Sequence, residues 1–214
     1  MKSFLIIGLG SFGHHLCHAL AQQRCEIMAV DKSGEALEDV LPYVVSAKVG
    51  DCTNVDVLRS FSVDNFDVCF VCLGSNVLSS LQITSLLKEL GAKRVFSKAD
   101  DDTHAKFLLR NGADEIIYPE REIATSIAVS ASSDNIFDCI RLNADYSIYE
   151  LQPLKRWLGK SLKELNFRVK YNMTVIAVIK DGVIRPNLHP DYMFREEEHL
   201  LVLGRSEDIQ KVIR

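Results

Sequence analysis

Three glycines near the start of the chain restrict the possible folds more than any other feature. They follow the apolar run Phe4–Ile7 at the spacing Gly8-x-Gly10-x-x-Gly13, and a stretch of helical periodicity, His14–Gln23, comes next. In a βα turn of this kind the first glycine permits a tight turn and the second lets the backbone approach a pyrophosphate. The third lets the helix pack closely on the strand. The spacing therefore predicts a phosphate-binding turn, with the helix N–H groups facing the phosphates.

An acidic residue after the second predicted strand supports this interpretation. Asp31 follows the apolar segment Glu26–Val30, at the place where a carboxylate accepts hydrogen bonds from ribose hydroxyls. A carboxylate there repels a 2'-phosphate, so NADP is not expected. The positive charge of the neighbouring Lys32 is a feature that would favour such a phosphate. We therefore predict a bound adenine nucleotide or dinucleotide; the alternative is a tight βα turn without a ligand.

The alternation of predicted strands and helices defines the domain organisation. A repeated βα pattern with short connections predicts a Rossmann-like, doubly wound parallel sheet over residues 1–118. Helical patterns at Glu120–Ser130 and Ile136–Leu142, with no strand between them, predict crossover helices over residues 119–143. The remaining residues, 144–214, mix strand and helix patterns and predict a small α+β domain.

Two later segments are expected to join the same pocket because they follow strands three and four. The segment "GDCT" contains Asp51, Cys52 and Thr53, and "LGSN" contains Gly74 and Ser75. Ligands of open α/β sheets bind at the carboxyl ends of the strands. For each segment, ordinary turn chemistry at a strand end is an equally good explanation.

The cysteines and histidines offer weaker signals for metal or redox chemistry. Cys69 and Cys72 form a CxxC, but in a strand these positions point to opposite faces, so we interpret them as core thiols. His14 and His18 have the helical spacing of a metal-binding pair. No third ligand is evident in the sequence, and a helix surface is the simpler interpretation.

Composition and missing motifs exclude several function classes. A net charge of −4 argues against a nucleic-acid partner, which needs a concentrated basic surface. No apolar run of about 18 residues is present for a membrane span. The chain shows neither a P-loop nor a cluster of acid, base and substrate-orienting residues, so an enzyme is not expected. A nucleotide site without catalytic residues predicts a sensor. The alternatives to a sensor that regulates another protein are a small NAD-dependent oxidoreductase and a free-standing nucleotide sensor.

Beyond these inferences, the chain resembles a known family along its whole length. The segments "GLGSFG", "AVD", "GDCT", "FVCLGSN", "GADEIIYPE" and "YSIYELQP" occur in the order found in the KtrA/TrkA family. These are cytoplasmic RCK (regulator of K+ conductance) gating subunits of bacterial potassium uptake systems. The resemblance implies a homodimer joined through the crossover helix, and an octameric ring beneath a KtrB/TrkH-like potassium-translocating membrane subunit. Nucleotide binding in the Rossmann pocket would change the shape of the ring.

Residues that match family motifs imply roles at the nucleotide. Gly8, Gly10 and Gly13 match the phosphate loop, in which Ser11 and Phe12 fill the second gap. Many KtrA proteins have arginine where this chain has Ser11, and that arginine reaches the terminal phosphate of ATP. The exchange leaves ATP/ADP discrimination open and gives weight to AMP and NAD(H).

Further matches imply roles outside the phosphate loop. Asp31 matches the ribose carboxylate, and Lys98 a lysine after the fifth strand. Glu120 resembles a glutamate that meets nucleotide phosphates through a divalent cation; a helix-capping carboxylate is the alternative.

The C-terminal segments "LNFRVKYN" and "IRP" resemble the cyclic di-AMP site of KtrA proteins. There Arg168 would face phosphate, and Ile176 and Pro186 would pack on the bases. Asn172 stands where these proteins usually have glycine. An ordinary α+β core with surface cations is the alternative.

Overall fold

A computed structural model describes residues 1–74 and 76–213. The chain divides into two compact units, Met1–Tyr118 and Pro119–Arg214. In the N-terminal unit the strands are β1 Ser3–Ile7, β2 Glu26–Asp31, β3 Ser46–Val49, β4 Val68–Val71, β5 Val95–Lys98 and β6 Glu115–Ile117. The helices are α1 Ser11–Ala21, α2 Glu35–Glu38, α3 Val55–Arg59, α4 Val77–Glu89 and α5 Asp102–Arg110.

The strands of this unit form one parallel sheet in the order β3-β2-β1-β4-β5-β6. From β1 the chain adds β2 and β3 on one side of the sheet, and then β4, β5 and β6 on the other side. The strand order therefore reverses between the neighbours β1 and β4. In open α/β sheets, this switch point is where the carboxyl ends of the strands form a ligand crevice. The predicted Rossmann-like, doubly wound sheet is confirmed.

Both faces of the parallel sheet are covered, which explains its continuous apolar strands. Cys69 belongs to the core cluster on one face and Cys72 to the cluster on the other. The two thiols therefore point to opposite sides, as predicted from the strand character of their segment. Burial raises the pKa of each thiol to about 12, so both are protonated at neutral pH.

The C-terminal unit is built on an antiparallel sheet in the order β10-β9-β11-β8-β7. Its core centres on Trp157, whose ring lies 4.8 Å from that of Phe167. The strands are β7 Ile136–Arg141, β8 Tyr146–Leu151, β9 Thr174–Lys180, β10 Val183–Pro186 and β11 His199–Arg205. The helices are α6 Pro119–Ala131, α7 Leu162–Leu165, α8 Phe167–Lys170 and α9 Ser206–Ile213.

One predicted helix is wrong: Ile136–Leu142 contains the edge strand β7, not a second crossover helix. Cys139 pairs with Tyr149 of β8, and a register shift between Ile136 and Asp138 leaves Phe137 as an extra residue. This bulge separates the two buried positions, Ile136 and Cys139, by three residues instead of two. Apolar residues three and four apart are the helical signature, so the bulge produced the misleading periodicity.

In the described part of the chain, no helix is both long and apolar enough to cross a membrane.

Candidate nucleotide-binding site

The chain's own packing requires glycine at two positions of the predicted phosphate loop. Gly8 has a left-handed backbone (φ +92°), and a Cβ there would lie 2.8 Å from Leu73 Cδ2. A Cβ on Gly13 would overlap the carbonyl oxygen of Gly8 and come within 3.2 Å of Cys72 Cβ. These two glycines therefore let α1 pack tightly against the ends of β1 and β4.

Gly10 differs from its two neighbours because nothing in the fold requires it. Its backbone is in a region open to any residue (φ −65°, ψ −177°), and a Cβ would meet no atom of the described residues within 4 Å. The missing side chain leaves open space in front of the first turn of α1. Such a space suits a ligand that approaches the backbone closely, so the residues present fit a bound pyrophosphate.

The start of α1 has the polarity expected of an anion site. Gly10 is its N-cap, and neither a capping side chain nor an acidic residue of the first turn satisfies the helix N–H groups. The first backbone bond of the helix runs from the His14 N–H to the Gly10 carbonyl (2.9 Å). Earlier N–H groups have no partner inside an α-helix and carry the positive end of its dipole.

The two residues in the second gap of the motif have different surroundings. Ser11 is exposed as the first residue of α1, whereas Phe12 packs against the core cluster beside the sheet. Phe12 therefore anchors the helix start, and Ser11 adds only a short, uncharged side chain at this exposed end of α1.

Asp31 is held at the glycine loop by hydrogen bonds that the sequence did not reveal. The Leu9 N–H donates to Asp31 Oδ2 (2.7 Å) and the Ser33 N–H to Oδ1 (2.8 Å). The bond from Leu9 joins the end of β2 to the turn after β1, whereas the bond from Ser33 is local. An ionised carboxylate has about four acceptor sites, so further donors, such as ribose hydroxyls, can still bind.

The "GDCT" segment forms a polar cluster with Lys32. Asp51 accepts from the Thr53 hydroxyl (2.6 Å) and the Thr53 N–H (2.9 Å), and Lys32 Nζ lies 3.1 Å from its other oxygen. These hydrogen bonds and the lysine lower the pKa of Asp51 to about 2. Cys52 points into the core instead, and burial raises the pKa of its thiol to about 12.

A second ion pair lies over Gly74, after β4. Lys98 Nζ is 3.3 Å from Asp100 Oδ1, and the lysine side chain is only 12% exposed. A Cβ on Gly74 would overlap that carboxylate and come within 2.9 Å of Lys98 Nζ. Asp100 was not predicted from the sequence, and Ser75, which was, lies outside the described residues.

In the C-terminal unit, Arg168 lines an open cavity of about 370 Å³. Neither of the other two predicted residues lines it: Ile176 lies at a bulge in β9 and Pro186 lies on the exposed edge strand β10. Asn172 has a left-handed backbone (φ +55°), a conformation that asparagine tolerates in place of glycine. The lining residues are Leu162, Lys163, Asn166, Phe167, Arg168, Thr174, Val175 and Pro190.

Glu120 lies in the first turn of α6, where its carboxylate is exposed and suits the helix dipole. Among the described residues, no group of three or more His, Cys, Asp or Glu side chains is arranged to hold a metal ion.

Comparisons with known proteins match both units in sequence. Residues 4–119 match the TrkA-N domain model and residues 147–214 match the TrkA-C domain model. The chain is 35% identical to Ktr system potassium uptake protein A of Bacillus subtilis, over 98% of this chain and 95% of that protein. Ktr system potassium uptake protein C of the same organism is 33% identical, with the same coverage of both chains.

Solved structures support the same fold at lower sequence identity. The RCK domain of GsuK is 16% identical, with a TM-score of 0.68 over 99% of this chain and 47% of that chain. A GsuK channel bound to NAD gives the same TM-score and identity over 97% of this chain and 38% of that one. This chain spans less than half the length of either solved chain. With TrkA-N and TrkA-C domains and close Ktr relatives along its full length, the chain belongs to the Ktr/TrkA family of potassium uptake proteins.

Proposed function

We propose that this protein is the nucleotide-binding regulatory subunit of a potassium uptake system and has no catalytic role of its own. The observation that carries the proposal is Gly10, since the described residues leave open space there, in front of α1, whose N-cap has no side chain. Asp31 is anchored beside that space through the Leu9 N–H. A nucleotide bound there would contact β1, α1 and β2 at once, and its binding would change how these elements are held together. In an assembly of several copies of the chain, this change would alter the shape of the assembly.

The ligand we propose is an adenine nucleotide or NAD(H). Ser11 supplies no positive charge for a terminal phosphate, and the phosphates would therefore be bound mainly by the N–H groups of α1. Lys32 is paired with Asp51, which lowers its value as a partner for a 2'-phosphate. These features favour AMP-like ligands and NAD(H) over a strong distinction between ATP and ADP.

The partners we propose are further copies of the chain and a KtrB/TrkH-like potassium-translocating membrane subunit. On α6, Ile123 and Ile127 are 60% and 59% exposed, one helical turn apart. This apolar stripe suits a homodimer joined through the crossover helix, from which an octameric ring would assemble. The ring would lie in the cytoplasm at the inner face of the membrane.

Two further ligands belong to the proposal. The cavity beside α8 has cations at Lys163 and Arg168 and apolar walls, a combination that suits the phosphates and bases of cyclic di-AMP. Ile176 and Pro186 would then contact it from a second copy of the domain. Glu120 would bind a divalent cation together with nucleotide phosphates when subunits meet.

Potassium flux tests this function directly. Vesicles containing a Ktr-type membrane subunit would be loaded with the protein, and rubidium uptake would be followed with each nucleotide in turn. We expect at least one adenine nucleotide to change uptake, and Gly10→Ala to bind the membrane subunit without the nucleotide response. If no nucleotide changes rubidium uptake and the protein oxidises NADH when carbonyl compounds are supplied, the result would instead support the oxidoreductase.

A further inference from the structure

Four aromatic rings lie close together at α1: those of His14, His18 and Tyr43, and that of His15, whose centroid is 6.3 Å from the His14 centroid. The rings of His14 and His18, one helical turn apart, have centroids separated by 4.6 Å. The ring of Tyr43 lies 4.2 Å from that of His18 on the other side. The sequence alone favoured an ordinary helix surface here, but the imidazoles of His14 and His18 are half-buried.

The imidazoles of His14 and His18 each have a nitrogen that lacks a hydrogen bond. The Nε2 atoms of His14 and His18 are enclosed, and no donor or acceptor among the described residues bonds to either. Asp39 Oδ2 lies 3.8 Å from His14 Nε2, which is too long for a hydrogen bond. Buried polar atoms without a partner are uncommon in native proteins, and an absent ion or water is one explanation.

The chemistry of these atoms favours a metal ion over water. A neutral imidazole nitrogen is a strong ligand for borderline divalent ions such as Zn²⁺, Ni²⁺ and Cu²⁺. Positions four apart on a helix face each other, so one ion can bind both rings. One such ion would satisfy both orphaned nitrogens. We propose that His14 and His18 form a binding site for a borderline divalent transition-metal ion.

Binding requires only local side-chain movement. The two rings turn out of their tilted contact so that both Nε2 atoms face the ion, and water fills the remaining positions. Asp39 is 84% exposed and ends α2, so its carboxylate is free to rotate towards His14 and supply a third ligand. The bound ion would then join α1 to the end of α2. Mg²⁺ and Ca²⁺ prefer oxygen ligands and would not bind here. This site is independent of the proposed nucleotide function.

Calorimetric titration of Zn²⁺ and Ni²⁺ into the nucleotide-free full-length protein tests the proposal, and the helix offers a matched control. His15 is exposed on the same turn of α1, and its ring meets that of His14 edge-on, but its nitrogens are not among the enclosed atoms without a partner. Mutation of a residue that only hydrogen-bonds a metal ligand typically lowers metal affinity by about 10- to 100-fold. Loss of a direct ligand should therefore lower it by at least as much. We expect this loss for His14→Gln and for His18→Gln, and unchanged affinity for His15→Gln. Excess Mg²⁺ should not compete.

The variant Asp39→Asn measures how much the carboxylate contributes to metal binding beyond the two histidines. It should weaken binding less than either histidine variant. Circular dichroism confirms that each variant is folded before titration, and two independent histidine variants guard against one that fails. The proposal is overturned if the wild type shows no saturable binding, or if His15→Gln weakens binding as much as His14→Gln and His18→Gln.

Discussion

In the N-terminal unit the candidate nucleotide site is made largely of backbone, whereas the cavity of the C-terminal unit is made of side chains. Gly8 and Gly13 are dictated by close packing between β1, α1 and β4. The C-terminal cavity instead depends on Arg168 and on other side chains between residues 162 and 175, together with Pro190. A backbone site leaves a fixed glycine spacing in the sequence, while a side-chain cavity leaves no fixed spacing of one residue type.

The same difference explains how much could be predicted from the sequence. The parallel sheet, the glycine loop and Asp31 were predictable because strand, turn and helix signals coincide over a short stretch. The bonds from Leu9 and Ser33 to Asp31 were not, since any residue offers a backbone N–H. The bulge in β7 was also hidden, because its apolar spacing imitates a helix.

The largest effect we expect is at Gly13. A methyl group there overlaps the Gly8 carbonyl, so Gly13→Ala should lower the free energy of unfolding by about 3 kcal/mol. The same change at Gly10 meets no atom within 4 Å in the described part of the chain, and should alter stability by less than about 0.5 kcal/mol. Urea denaturation of both variants measures the contrast. Equal losses of stability would show that the loop is not divided into structural and ligand-facing glycines.

A smaller loss is expected when the anchor of the loop is weakened. Asp31→Asn replaces a charge-assisted bond from the Leu9 N–H with a neutral one, and should lower the unfolding free energy by about 1.5 kcal/mol. Asp56→Asn is the control, because in the described residues its carboxylate forms only an exposed pair with Arg59. Urea melts should separate the two variants; identical midpoints would contradict a structural role for Asp31.

The C-terminal cavity should behave in the opposite way to the glycine loop. Arg168 is exposed, so Arg168→Ala should change stability by less than about 0.5 kcal/mol. We expect it to abolish calorimetric binding of cyclic di-AMP while leaving nucleotide binding unchanged. Lys155→Ala, a basic residue outside the cavity lining, is the matched control. Loss of nucleotide binding in Arg168→Ala would contradict the assignment of separate ligands to the two units.

The smallest effect concerns pH and the Asp51 cluster. Folding lowers the pKa of Asp51 from 3.8 to about 2, mainly through Thr53 and then Lys32. The resulting stabilisation is fully present above about pH 4 and is lost as the pH falls towards 2. The carboxylate is half exposed, so solvent screens the effect. Urea midpoints of wild type and Asp51→Asn should differ most at pH 5, and the difference should shrink steadily as the pH falls towards 2. A constant difference would rule out this ion cluster as the cause.

The most direct test of the account is the melting temperature of the wild type and of Gly10→Ala with saturating ATP, ADP, AMP, NAD and NADH. A ligand at about 100 times its Kd stabilises the folded state by about 2.7 kcal/mol, which is several degrees at about 2–4 °C per kcal/mol for a chain of this size. We predict that AMP or NAD(H) raises the wild-type melting temperature, and that Gly10→Ala melts like the wild type without ligand but gains nothing from it. An equal rise in both proteins, or none in the wild type, would contradict a nucleotide bound at the glycine loop.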